Sequence, residues 1–482
     1  MRRLLLCFSV IAVACATGTQ QSNDQIPATT KSDDARQHYE RGLALSENVR
    51  VAEAIEEFAL ALKLDPGFVS ARAMLAFHTP GEAGLQQLAQ VNQQTNDLPE
   101  AERTFVRMLR ARRGSDAKEA VAEARKLVAL VPESSRARTE LGQALIAIQD
   151  YGAAAAEAQK AIELNARFGP ALNMLGYAML QQGRMPEAID AFQRYAAVMP
   201  QEPNAQDSLG DALLAAGRYA DAEAAFRKAV EISPTFWNGY EGIACAKFYQ
   251  RDFAGAREAF ENGRKVANRP GDRATLEAVA AFEALAEDKP ADAMKILDAI
   301  EQIPSIPPDR LAVLPIARAL VLLHARQMRD ALSELDKMTP LWGGGPLPPP
   351  VSLQLRLYTF GVRAAVEATM KDEAAVARTA TAIRQDAVAH PENRMAQSAL
   401  HFAMGMQALA KGDRGGALTE WAQCLTDDTL CQGYLSMHSP DSASEPAPGT
   451  TRPIAPRAAT RGYVNARDPI FLYLSSRGST LP

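Results

Sequence analysis

Residues 135 to 236 divide into three consecutive blocks of 34 in which the same small residues fall at the same places. Gly142, Gly176 and Gly210 stand at position 8, and Ala154, Ala188 and Ala222 at position 20. Leu141, Leu175 and Leu209 precede the glycines, Phe192 and Phe226 occupy position 24, and Pro200 and Pro234 occupy position 32. A fixed period of this length means one supersecondary unit repeated, because each unit has an apolar face that only a neighbouring copy can cover. It also accounts for a length of 482 residues, more than one compact core usually spans.

The third block shows what the unit is. Asn204 to Ala216 and Ala220 to Ile232 each space their apolar residues for one face of a helix. Gly217 between them suits the left-handed backbone that ends a helix, and Pro234 lacks the N–H needed to continue the second one. Each block is therefore a helix–turn–helix. Gly210 and Ala222 leave no bulk between the two axes, so the pair is expected to pack closely, with Leu209, Leu213 and Phe226 filling the seam.

Leu209, Gly210, Ala222, Phe226, Ala229 and Pro234, at positions 7, 8, 20, 24, 27 and 32, together resemble the tetratricopeptide repeat. The resemblance implies an all-α fold: a right-handed superhelical solenoid of antiparallel helix pairs whose concave face usually binds peptides or proteins. A block beginning at Ala35 keeps Gly42, Ala54, Phe58, Ala61 and Pro66 in register. The pattern thins in 101–134, which retains Ala120 and Pro132, and in 237–270, which retains Ala256 and Phe260. In 398–431 Gly405 and Ala417 remain while Trp421 replaces the aromatic. Ala76 to Asp97 reads as irregular, with Pro80-Gly81 and a Gln-rich run.

The chain then divides into a signal peptide at 1–16, a polar linker at 17–33, and a first repeat with an irregular helical segment at 34–100. The core array takes 101–270, degenerate pairs 271–340, a Gly/Pro loop 341–350 and further helical pairs 351–435. The Pro/Ala/Ser-rich stretch 436–482 cannot sustain helical hairpins and reads as disordered. Its end segment Asp468 to Leu474 either caps the last repeat or stays a flexible end.

Met1-Arg2-Arg3, the apolar run to Val13 and the small residues after it form a secretory signal. The run is too short to cross a bilayer, which takes about 20 helical residues. Ala12-Val13-Ala14-Cys15 resembles a bacterial lipobox, with Ala12 where the family usually has Leu; Cys15 would then carry the lipid and attach the chain to a membrane. Ala14-Cys15-Ala16 equally fits an ordinary cleavage site that discards Cys15. Either way the protein is expected to be exported, to the periplasm or to an envelope membrane as a lipoprotein.

With 52 basic and 57 acidic residues the net charge is −5, and no dense basic run follows Arg2-Arg3, so nucleic acid is not an expected partner. No HExxH, GxxxxGK[ST] or GxSxG pattern occurs, and the six histidines lack ligand-like spacing, so no catalytic group, cofactor or metal is expected. Cys424 falls at position 27, where a small buried residue belongs, which favours a packed thiol over a bridge to Cys431. The adjacent pairs Asp33-Asp34 and Asp427-Asp428 lie near helix starts and read as caps.

Carrying the family's inner-face positions over repeat by repeat gives a candidate peptide groove: Arg136, Thr139 and Gln143, then Asn173, Tyr177 and Gln181. The next blocks add Asn204, Asp207 and Asp211, and Asn238, Glu241, Phe248 and Tyr249. Asn side chains can bracket an extended backbone, and the basic residues of carboxylate-clamp relatives are not evident, so a protein or peptide segment that is neutral or basic is the expected guest. The leading expectation is a non-catalytic adaptor of the cell envelope. The alternatives are a sensor subunit hinged at the Gly/Pro loop, or a hydrolase in 271–400, which would need a pocket with a perturbed nucleophile or carboxylate pair.

Overall fold

The computed structural model describes residues 26–79, 81–114, 116–306, 311–342, 349–391, 393–425 and 428–438. The described residues are helical throughout, and consecutive helices pack as antiparallel hairpins. The series opens with α1 (Asp33–Glu47), α2 (Val51–Leu64), α3 (Val69–His78) and α4 (Gly81–Gln93). The stretch that reads as irregular in the sequence is thus a short hairpin of its own. After it come α5 (Glu100–Arg113), α6 (Ala117–Leu130), α7 (Ser135–Ala147), α8 (Tyr151–Leu164), α9 (Gly169–Gln181) and α10 (Met185–Val198).

The array continues through α11 (Pro203–Ala215), α12 (Tyr219–Ile232), α13 (Trp237–Tyr249), α14 (Phe253–Val266), α15 (Pro270–Ala286) and α16 (Pro290–Ile300). It ends in α17 (Leu314–His324), α18 (Met328–Asp336), α19 (Pro349–Thr369), α20 (Glu373–Ala389), α21 (Arg394–Ala410), α22 (Arg414–Trp421) and α23 (Thr429–His438). No described helix is long and apolar enough to cross a membrane.

The turn inside each hairpin is built the same way. Gly183 and Gly217 take φ of 72° and 73°, and the N–H of the residue after each reaches back five residues to a carbonyl, as Arg218 does to Leu213 at 2.9 Å. Val49, Gln149 and Arg251 occupy the equivalent place with φ of 65°, 60° and 64°, although none is glycine.

The position-8 glycines have a role different from the one their spacing first indicates. A Cβ on Gly176 or Gly210 would enter the ring of Phe192 or Phe226, and Gly42 and Gly405 stand in the same relation to Phe58 and Trp421. The glycine clears a seat for the position-24 aromatic, which is why Phe58, Phe192, Phe226 and Trp421 are completely buried. Where position 24 is Ala158, the space at Gly142 is taken by Met174 from the following repeat.

The core is accordingly a chain of overlapping clusters, not one centre. One runs from Ile26 to Ala215, the next from Leu213 to Ala280, a third from Ala274 to Tyr434, and a fourth joins Leu357 to Ala403. Stability then adds up over neighbouring contacts, as in other quasi-one-dimensional folds.

Candidate binding surface

The first helices of successive hairpins, α7, α9, α11, α13 and α15, lie side by side and form one continuous wall, while the second helices stand behind them. The residues expected to line a groove all sit on this wall, but the wall is not uniform. Its N-terminal end is closed by α1. Arg136 on α7 pairs with Glu47 and with Glu40 of α1, 3.5 Å away in the second case, and is buried. Burial opposes the Arg136 charge, yet Glu47 and Glu40 hold its pKa above the ordinary arginine value; burial raises the pKa of Glu40 despite Arg136.

A second set of contacts ties the same corner. The Tyr195 hydroxyl donates to the side-chain oxygen of Asn48, 147 residues earlier, and accepts from Asn204 Nδ2 at 3.3 Å. Arg50 lies 3.9 Å from Glu202. Thr139 is buried and donates to the Ser135 carbonyl at 2.9 Å, and Gln143 accepts from Arg112 at 2.8 Å. Arg136 and Asn204 are thus engaged at the corner where α1 and the turn after it meet α7 and α10, while Thr139 is taken up by its own helix and Gln143 by Arg112 of α5. Tyr195, Asn48 and Glu47 were not read from the sequence. The one available signal was Tyr195 itself, a bulky residue at position 27, where Ala161 and Ala229 stand in the flanking blocks.

Farther along, the wall changes character. Asn173, Tyr177 and Gln181 lie along one face of α9, and the Tyr177 hydroxyl donates to Asp211 of α11 at 2.9 Å. The side-chain oxygens of Asn173 and Gln181 are enclosed with no hydrogen-bond partner among the described residues. Asp207 on α11 and Glu241 on α13 are buried carboxyls, and Asn238 on α13 is partly exposed. Phe248 and Tyr249 lie in the core. Tyr249 stacks on Tyr219 with ring centroids 5.2 Å apart, and Phe248 meets Phe253 edge-on at 5.6 Å, so neither ring serves as an exposed apolar contact.

A family model described as tetratricopeptide repeat matches residues 105–170, 148–207 and 174–235. Residues 105–235 are built on tetratricopeptide repeats. Solved structures with similarity to it include a crystal structure of MamA, 23% identical over 33% of this chain and 93% of that one, TM-score 0.30. A MamA fragment from Desulfovibrio magneticus RS-1 is 19% identical, covering 34% and 94%, TM-score 0.31. A tetratricopeptide repeat protein from Parabacteroides merdae ATCC 43184 is 14% identical, covering 60% and 100%, TM-score 0.38. No curated protein matches the chain. Tetratricopeptide repeats place this protein among protein-interaction scaffolds.

Elsewhere in the helical array the expected thiol at Cys424 is instead bonded to Cys431, with Cα atoms 6.4 Å apart. The reason is a helix end. α22 stops at Trp421, so Cys424 lies beyond it and faces the first turn of α23, whereas two helix-borne cysteines would have been held apart. Ser32, and not Asp33 or Asp34, caps α1 by accepting from the Ala35 N–H, with the two aspartates in the first turn where the helix dipole favours them; Asp428 accepts from the Cys431 N–H at 3.0 Å, and Asp427 lies outside the described residues. The signal peptide, Cys15, residues 343–348 of the Gly/Pro loop and the tail from 439, with its segment Asp468 to Leu474, lie outside the described residues.

In the degenerate region a cavity of about 560 Å³ opens between α14 and α16, with α15 as its floor. It holds one strongly perturbed group, Glu283, whose carboxyl is pushed up to about 8 by burial and by the neighbouring Glu287. Its lining includes no serine, threonine, cysteine or histidine among the described residues; its carboxyls include Glu283 and the neighbouring Glu287.

Proposed function

We propose that this protein is a non-catalytic adaptor of the bacterial cell envelope that holds a neutral or basic protein segment against the wall formed by α9, α11 and α13. The observation that carries the reading is the pair of enclosed amide oxygens on α9, Asn173 and Gln181, which lack donors within the described fold. A buried acceptor without a partner is costly, and an N–H from a docked extended chain would satisfy it. The acidic residues of α11 and α13, Asp207, Asp211 and Glu241, make this stretch of the wall a poor match for a terminal carboxylate. With α7 closed by α1, the receptive length begins at α9.

The segment from Met1 to Ala16 supports export, and Cys15 supports lipid attachment in the envelope. A photoreactive residue at Asn173 or Gln181 in cells is expected to capture the same protein from both positions, and not from Lys228 on the outer helix α12. Capture of the same set of proteins from all three positions defeats the groove. Cys15→Ala is expected to release the protein from membranes, and unchanged fractionation rejects the anchor.

A further inference from the structure

The cavity between α14 and α16 lies on the opposite side of the array from the inner wall, because two second helices form its sides and a first helix its floor. Most of the charges on α14 and at the end of α15 are paired. From α14, Arg264 donates to both carboxylate oxygens of Glu277 on α15, at 2.8 and 2.7 Å, and to Glu261 at 2.5 Å. Arg257, also on α14, pairs with Glu287, and Lys289 at the start of α16 reaches the other oxygen of Glu287 at 2.7 Å. Two arginines and a lysine are thus taken by three other carboxylates.

Glu283 on the floor has no such partner. It is only 3% exposed, and its Oε1 is enclosed without a hydrogen-bond partner among the described residues. From α16 the cavity is further lined by Asp292 and Lys295, and Lys295 forms no ion pair among the described residues. Phe260, Ala280 and Ile296 give the rest of the cavity an apolar lining. A buried carboxyl without a donor, beside an apolar stretch of the cleft, can be satisfied by a positively charged donor carried on a hydrocarbon stem.

We infer that this cavity is a binding site for an alkylammonium or alkylguanidinium group, with Glu283 as its anionic anchor and Phe260 and Ile296 against the aliphatic stem. That chemistry belongs equally to free aliphatic amines and to the lysine or arginine side chains of a protein. In the empty site Glu283 holds its proton up to about pH 8, so a cation that binds the carboxylate displaces about one proton below that pH. The inference is independent of the inner wall.

Calorimetry on the full-length protein with cadaverine and agmatine as probes, at pH 6.5 in buffers of different ionisation enthalpy, tests it. The expected result is saturable binding with release of about one proton per ligand, tightening as pH is raised towards 8. Glu283→Gln should keep the circular dichroism spectrum, lose the proton release and weaken binding by at least about tenfold. Lys295→Met should leave binding unchanged or strengthen it. N-acetyl-lysine methylamide serves as a further arm: its binding extends the site to protein side chains, and binding of the free amines alone restricts it to small molecules. Absence of binding by all three probes, or binding that Glu283→Gln leaves intact, overturns the inference, as does binding that depends on Lys295 but not on Glu283.

Discussion

Val49 is a β-branched residue held at φ 65°, a conformation in which its Cβ crowds the carbonyl, in the turn where Gly183 and Gly217 sit without strain. It is exposed, so little packing is lost on removing its side chain. Val49→Gly is therefore expected to stabilise the first hairpin by about 1 kcal/mol, read as a higher midpoint in urea. The same turn could be placed from the glycines of neighbouring blocks alone, because its geometry depends on a few adjacent bonds. Glu283 carries the opposite lesson. Unfolded, it ionises near the ordinary value of 4.5; folded, it stays protonated to about 8. The folded chain thus holds the extra proton between those values, and the wild type loses stability as pH rises through that window. Glu283→Gln should melt like the wild type near pH 4 and be more stable at pH 8 by on the order of 2–4 kcal/mol. Equal melting temperatures at pH 8 would show that the carboxyl is not confined. Nothing in the residues around Glu283 announces this, since an i, i+4 pair with Glu287 is ordinary on an exposed helix.

At the scale of single helices, the hairpins of 135–236 formed where the apolar spacing placed them, and the aromatic at position 24 fills the hollow above the position-8 glycine in four of the repeats. The docking of α1 is another matter. Arg136 is buried between Glu47 and Glu40, and truncating one member of a buried ion pair leaves the others uncompensated. Arg136→Ala is expected to cost about 3 kcal/mol and to raise hydrogen exchange in α1 more than in α9. Equal exchange in the two helices would show that α1 does not depend on this pair. Read by position alone, Arg136 belonged to the groove; its partner 89 residues away converts it into a clasp. The disulfide has a similar origin, because the early end of α22 decides which way Cys424 faces.

Over the whole molecule, the overlapping clusters predict that damage stays local. Phe226 is wholly buried between Gly210 and Gly242, and Phe226→Ala should cost about 3–5 kcal/mol. Because α20 and α21 pack into a separate cluster around Ile383 and Ala399, amide exchange there should be unchanged while α11 to α14 lose protection. A uniform loss along the chain would mean that the array folds as one cooperative body. What the sequence by itself determined was the unit and its stacking: the 34-residue period, the helical pair and the turn that joins it. All of these arise from contacts within a hairpin or between neighbouring ones, and repetition displays them several times over. Only the tertiary structure decided that α1 closes the start of the wall, that Phe248 and Tyr249 are core, and that Glu283 is shut in a cavity. Each depends on the curvature accumulated over several repeats or on how helices of unequal length pack, and neither quantity is written at any one position of the chain.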